Sequence, residues 1–173
     1  GAPGRVDLEA TPRRGLLSQV AFLSAHSGVA DSGPIFRGLA VLERVLCKHL
    51  PSPEELNLTV SAPEPDPDAT TRENFEQHSV DPACQGCHTE IDGAGFAFEQ
   101  FDPIGRYRDQ ENGRPIDTSG RLYIDEIAGE YPSSFEMIQA IATSETAERC
   151  FAQNVFGFAS AQDAEPIVHT FER

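Results

Sequence analysis

Cys84-Gln85-Gly86-Cys87-His88 sets two thiols three positions apart with an imidazole directly after the second, the pattern of a c-type haem attachment site. One turn of helix brings both sulfurs to one edge of a porphyrin, where each can form a thioether with a vinyl group, and turns His88 beneath the ring toward the iron. The sequence therefore predicts one covalent haem c, tethered by Cys84 and Cys87, with His88 as the proximal axial ligand. A dithiol redox motif would need a thioredoxin-like strand and helix around the pair, and a zinc ribbon would need a second pair. The remaining cysteines, Cys47 and Cys150, stand singly.

Asp81-Pro82 reads as a helix start, with Asp as cap and Pro at the first position, so the motif is expected on the following turns of a helix. Downstream, the segment from Ile91 to Gly105 mixes glycines with Phe96, Phe98 and Phe101. Those rings are expected to form an apolar wall that keeps bulk water from the iron, although an ordinary core would also use them. Arg106 and Arg108 are candidates to pair with haem propionates; plain surface charge is the equally simple account.

The rest of the chain predicts a mainly α protein, a cytochrome c-like helical haem domain with an added helical hairpin and a small β-hairpin. A helix is expected over Arg14 to Ala25, and a second from Pro34 to about Lys48 with Phe36, Leu39, Leu42, Val45 and Leu46 at helical spacing. Five prolines among acidic and small residues make 51–69 an extended linker or strap over the surface. Thr70-Thr71-Arg72-Glu73 matches a capping box leading a short helix toward His78. Arg106-Tyr107-Arg108, the Asn112-Gly113 turn and Ile116 read as the hairpin, with Leu122, Tyr123 and Ile124 as a further strand. Ser133-Ser134-Phe135-Glu136 reads as another capping box, opening a helix through Ile138 and Ile141. Thr143 or Ser144 opens the next, whose apolar face is Ala147, Cys150, Phe151, Val155 and Phe158, and 163–171 reads as a final short helix. The organisation is a helical hairpin with a Pro-rich linker over 1–69 and a haem-binding region with C-terminal helices over 70–173, which also reads as one continuous domain.

Composition narrows the function. With 39% hydrophobic residues the chain can fold, and no apolar run approaches the eighteen residues of a membrane span. Six Lys or Arg balance six Asp or Glu over residues 1–62, so the remainder carries the whole net charge of −15. That acidic half argues against nucleic acid and anionic membrane and suits a redox partner that is basic at its contact surface, or simply a solvated surface. The start at Gly1-Ala2-Pro3 reads as a processed or excised product. If haem is attached outside the cytoplasm, Cys47 and Cys150 sit where a disulfide is permitted, and closing so long a loop would stabilise the fold by up to about 5 kcal/mol.

The blocks Arg14-Gly15-Leu16-Leu17, Gly33-Pro34-Ile35-Phe36-Arg37-Gly38, Cys84 to His88, Ile91-Asp92, Gly95-Phe96, Glu99, Phe101-Asp102, Ile104-Gly105-Arg106 and Ile116-Asp117 resemble two adjoining haem-binding domains of uncharacterised function. Such domains lie near the C-terminus of large exported bacterial cytochrome-domain proteins. The resemblance covers nearly the whole chain, the first domain running to about residue 110 and the second to the end. It implies export to the periplasm or beyond, a c-type haem and a larger parent architecture, and it assigns no substrate.

The second axial position decides the chemistry, because a protein ligand gives an electron carrier and an open site admits small ligands or peroxide. His78 ranks first: it lies six residues before Cys84, and an extended linker of that length reaches up to about 20 Å, enough to pass a haem edge. His26 and Met137 follow, Met137 at a separation from His88 similar to that in small mitochondrial-type cytochromes; His49 and His169 read as exposed helix-end residues. The reading is an exported c-type cytochrome passing single electrons, as a module or subunit of a larger redox system. Its rivals are a peroxidase-like haem enzyme with Glu99 or His78 as distal acid-base group, and a structural or docking subunit of a membrane redox complex.

Overall fold

The computed structural model of the chain describes residues 11–57, 64–80 and 82–160, without the side chains of His78, Val80 and Ala83. Among the described residues the helices are α1 (Val20–Ala25), α2 (Pro34–Leu39), α3 (Thr71–Glu76), α4 (Pro82–Gly95), α5 (Ser134–Ile141) and α6 (Glu145–Ser160). Two antiparallel pairs join them: β1 (Gln110–Glu111) with β2 (Arg114–Pro115), and β3 (Gly120–Leu122) with β4 (Gly129–Tyr131). The mainly α class with minor β-structure is as expected.

Local chemistry accounts for most boundaries. Thr70 accepts from the Glu73 N–H while the Glu73 carboxylate accepts from the Thr70 N–H, so the predicted capping box opens α3. Ser133 opens α5 differently, accepting from the Phe135 N–H and donating its hydroxyl proton to Glu136. Ser144 accepts from the Ala147 N–H at the start of α6. Asn112 and Gly113, at φ 51° and 74°, supply the left-handed pair that turns β1 into β2.

Three expectations are corrected. The helix read over Arg14 to Ala25 is a 3-10 turn (Leu16–Ser18) followed by α1, broken at Gln19 where ψ is 145°. Ser18 causes the break: its buried hydroxyl bonds the backbone of Arg14 at both N–H and carbonyl, closing a local turn in place of a helical one. The helix from Pro34 is α-helical only as far as Leu39, then widens into a π-helical stretch, Ala40–Val45. The face predicted for α6 is apolar but open, since Phe151, Val155 and Phe158 are exposed and only Cys150 is deeply buried. The helix read over 163–171 lies outside the described residues. Cys47 and Cys150 form the predicted disulfide, with Cα atoms 5.4 Å apart across a separation of 103 residues.

At the centre lies α4, held on both sides by glycine. Toward α2, a Cβ on Gly38 would stand 2.2 Å from the Ile91 carbonyl oxygen, and one on Gly95 would stand 2.0 Å from that of Pro34. Toward β3, a Cβ on Gly93 would stand 2.6 Å from the Arg121 oxygen. Backbone therefore touches backbone on two faces of the helix. Beside this contact Arg37 is fully buried, and its guanidinium donates to the carbonyls of Phe98, Phe101 and Asp102 at 3.1, 2.7 and 2.8 Å and to Leu23 of α1 at 3.4 Å. Val41, Leu42, Leu122, Met137, Ile138 and Ile141 close the core around it.

Alanine at Gly38 or Gly95 must force α2 and α4 apart, with an expected loss of about 1–3 kcal/mol of unfolding free energy in chemical denaturation. Gly86 lies on the same helix with nothing near its would-be Cβ. Gly86→Ala should therefore leave stability unchanged or raise it by about 0.5–1 kcal/mol.

Candidate haem-attachment site

Residues 84, 87, 88 and 91 fall at i, i+3, i+4 and i+7 of α4, so Cys84, Cys87, His88 and Ile91 share one face. That face looks onto a cavity of about 210 Å³, walled opposite by Ile35 and Leu39 of α2 and by Leu50, Pro51, Pro53 and Leu56, with Glu43 as its acid. The first residues of the Pro-rich segment thus lie across the cavity from the motif. Both thiols are unbridged and partly exposed. Lys48, just before the strap, forms an ion pair with Glu90 of α4.

His88 is oriented from behind. Its Nδ1 lies 3.2 Å from Oδ1 of Asp92, one turn further along α4, and Asp92 Oδ2 accepts the Ser79 hydroxyl at 2.5 Å. Ser79 stands on the 3-10 turn Gln77–Val80 that links α3 to α4. With the proton on Nδ1 facing Asp92, the ring lone pair lies on Nε2, the tautomer suited to a metal. Two thiols one helical turn apart, an imidazole so oriented and an apolar wall together fit a covalent haem c. The cavity is smaller than the roughly 300–1,000 Å³ of enclosed small-molecule sites, so a macrocycle held here would extend into solvent.

The other candidates lie elsewhere. Phe96, Phe98 and Phe101 are buried in the core and do not line this cavity: Phe98 packs on Phe22 at 6.4 Å between centroids, and Phe96 lies under the Arg72 guanidinium at 4.6 Å. They follow α4 on a 3-10 turn (Phe96–Phe98) that continues from a helical Gly95 within the core; the wall they were expected to form is aliphatic and proline-rich. Arg106 is exposed and pairs with Asp102 at 2.8 Å, while Arg108 pairs with Glu99 and Glu111. Met137 is fully buried against Gly120. His26 bonds the Phe22 carbonyl through Nδ1 at 2.8 Å and lines a separate cavity with Phe36, Leu39 and Glu43. His78 occupies the same turn as Ser79, and its side chain lies outside the description. His49 is exposed, as expected; His169 lies outside the described residues.

Glu99 does not line the cavity beside Cys84 and His88 and is held within the core. Its side chain is 1% exposed, accepts the Ser32 hydroxyl at 2.6 Å and lies 3.2 Å from Arg108. Burial pushes its carboxyl up to about 7 against the opposing pull of Ser32, Arg108 and Arg37. Burial likewise lowers Arg37 to about 10, which leaves it charged at neutral pH. Asp92 and Ser79 are the residues that sequence reasoning missed as part of the site; the i+4 spacing of Asp92 from His88 was the available signal.

Residues 13–111 match the family model described as PSCyt3, protein of unknown function (DUF1588), a domain found in cytochrome-containing proteins of planctomycetes. The matched span includes α1 to α4 and ends in β1. No curated protein and no solved structure matches the chain.

Because the Glu99 carboxyl is raised from 4.5 to about 7, the folded state holds a proton that the unfolded chain has released between those values. Its contribution to stability is complete below pH 4.5 and is lost as pH rises through 7. Wild-type protein should therefore lose up to about 3 kcal/mol between pH 5 and 8 relative to Glu99→Gln, read from denaturation midpoints at each pH.

Proposed function

Since the chain belongs to the PSCyt3 family, we propose that it is an exported c-type cytochrome module that carries one haem c and passes single electrons. The observation that carries this reading is the shared face of Cys84, Cys87, His88 and Ile91 against an apolar cavity. Cys84 and Cys87 would hold the haem through thioether bonds to its vinyl groups, with the thiol protons retained on the product so that attachment would consume no electrons. His88 would offer Nε2 to the iron, its Nδ1 being turned toward Asp92. The haem, when bound, supplies a one-electron ferric/ferrous couple.

The remaining residues of the site act on solvent and orientation. Ile35, Leu39, Leu50 and Leu56 lower the local polarity and so help to set the potential. Leu50 to Leu56 form the outer wall, which shields one side of the site while α4 leaves Gln85 and Gly86 exposed for approach by a partner. The Cys47–Cys150 disulfide suits an oxidising compartment such as the periplasm. The acidic half of the sequence suits a basic redox partner, whose association should weaken as salt is raised. The position of Glu99 in the core removes that residue from a peroxidase-like distal role.

Expression of the full chain with haem c maturation should yield a covalently coloured protein with a low-spin ferric EPR spectrum. Cys84→Ala with Cys87→Ala should abolish covalent haem, and His78→Ala should convert the iron to high spin if His78 is the second ligand. A wild-type protein without covalent haem rejects the cytochrome reading, and a high-spin iron that readily binds cyanide rejects the simple carrier.

A further inference from the structure

Asp92 is 5% exposed, and no Lys or Arg lies within ion-pair distance of it among the described residues. A buried carboxylate must be compensated by hydrogen bonds or opposite charge. At the side chain of Asp92 that compensation comes from the Ser79 hydroxyl on one oxygen and the His88 ring on the other. The carboxylate is thus clamped between the turn Gln77–Val80 and its own helix, and its position follows from backbone contacts: Ile91, the preceding residue, offers the carbonyl that meets Gly38.

Resting on the haem reading above, we propose that Asp92 is a positioning residue that fixes the His88 ring and, by drawing on its Nδ1 proton, strengthens Nε2 as a donor to ferric iron and lowers the reduction potential. Ser79 sets the size of the effect. Its hydroxyl takes part of the carboxylate charge, so less of that charge bears on His88. The chain thereby has two opposed controls on one ligand, one on each oxygen of the same side chain. A centre tuned in this direction favours giving up its electron, and so suits an acceptor of higher potential.

The test is spectroelectrochemical titration of the full chain carrying its covalent haem, comparing wild type with Asp92→Asn, Asp92→Glu and Ser79→Ala. Asp92→Asn should raise the midpoint, lowering the ferric-to-ferrous ratio about tenfold at fixed applied potential, which is about 59 mV for one electron. Ser79→Ala should move the midpoint the opposite way, and Asp92→Glu should recover part of the wild-type value. Loss of packing alone would not give opposite signs. An unmoved midpoint in Asp92→Asn, or a shift of the same sign in Ser79→Ala, overturns the proposal. Should Asp92→Asn fail to fold, Ser79→Ala decides alone: a fall supports the proposal, and no change or a rise overturns it. Wild-type protein lacking covalent haem overturns the underlying reading and this one with it, whereas loaded wild type with unmoved midpoints overturns only the role of Asp92.

Discussion

The approach of α2 to α4 sets the depth of the site. At Gly38 and Gly95 the carbonyl oxygens of Ile91 and Pro34 occupy the space that any side chain would take, so the two helices meet at backbone distance. This closeness brings Ile35 and Leu39 within reach of the Cys84 face and leaves Asp92 buried on the turn beyond His88. A charged group locks the arrangement in place: Arg37, one residue before Gly38, feeds its guanidinium to carbonyls from α1 and from the chain just past α4. Removing water from an arginine is costly, and four carbonyl acceptors offset much of that cost only while the segments stay in register.

A second network positions the turn behind the site. The Thr71 N–H and hydroxyl both donate to Glu111 at 2.7 Å, Glu111 lies 2.5 Å from Arg108, and Arg108 reaches Glu99 at 3.2 Å. These links fasten the start of α3 to β1 and to the chain after α4. Ser79 lies at the other end of the same short helical run, so the geometry around His88 is braced through residues that never touch it.

Features governed by neighbours in sequence were legible in advance. Capping at Thr70, the Asn112-Gly113 turn and the helix carrying the thiols all follow from chemistry within a few residues. The disulfide followed from counting cysteines against compartment. What depended on tertiary placement was not legible. Phe96, Phe98 and Phe101 satisfy a core and a haem pocket equally well by composition, and only their packing on the segment that continues past α4 puts them in the core. Nothing in the sequence around Arg37 marks its burial, yet it is among the largest fully buried side chains of the described residues. Nothing local marks Gly38 and Gly95 as contact points, because a glycine records the nearness of another chain segment rather than any preference of its own.

The bond between Cys47 and Cys150 also has a mechanical meaning. Were the chain stretched from its two ends, load would pass directly between these residues across 5.4 Å, bypassing the 103-residue separation they span. Strap, site helix and both hairpins lie inside that closed ring and would bear no tension. A single proteolytic cut in the strap would likewise leave the pieces tethered as one molecule. The disulfide therefore makes the thiol-bearing helix a slack loop in the line of force, insulated from whatever pulls on the segments outside it.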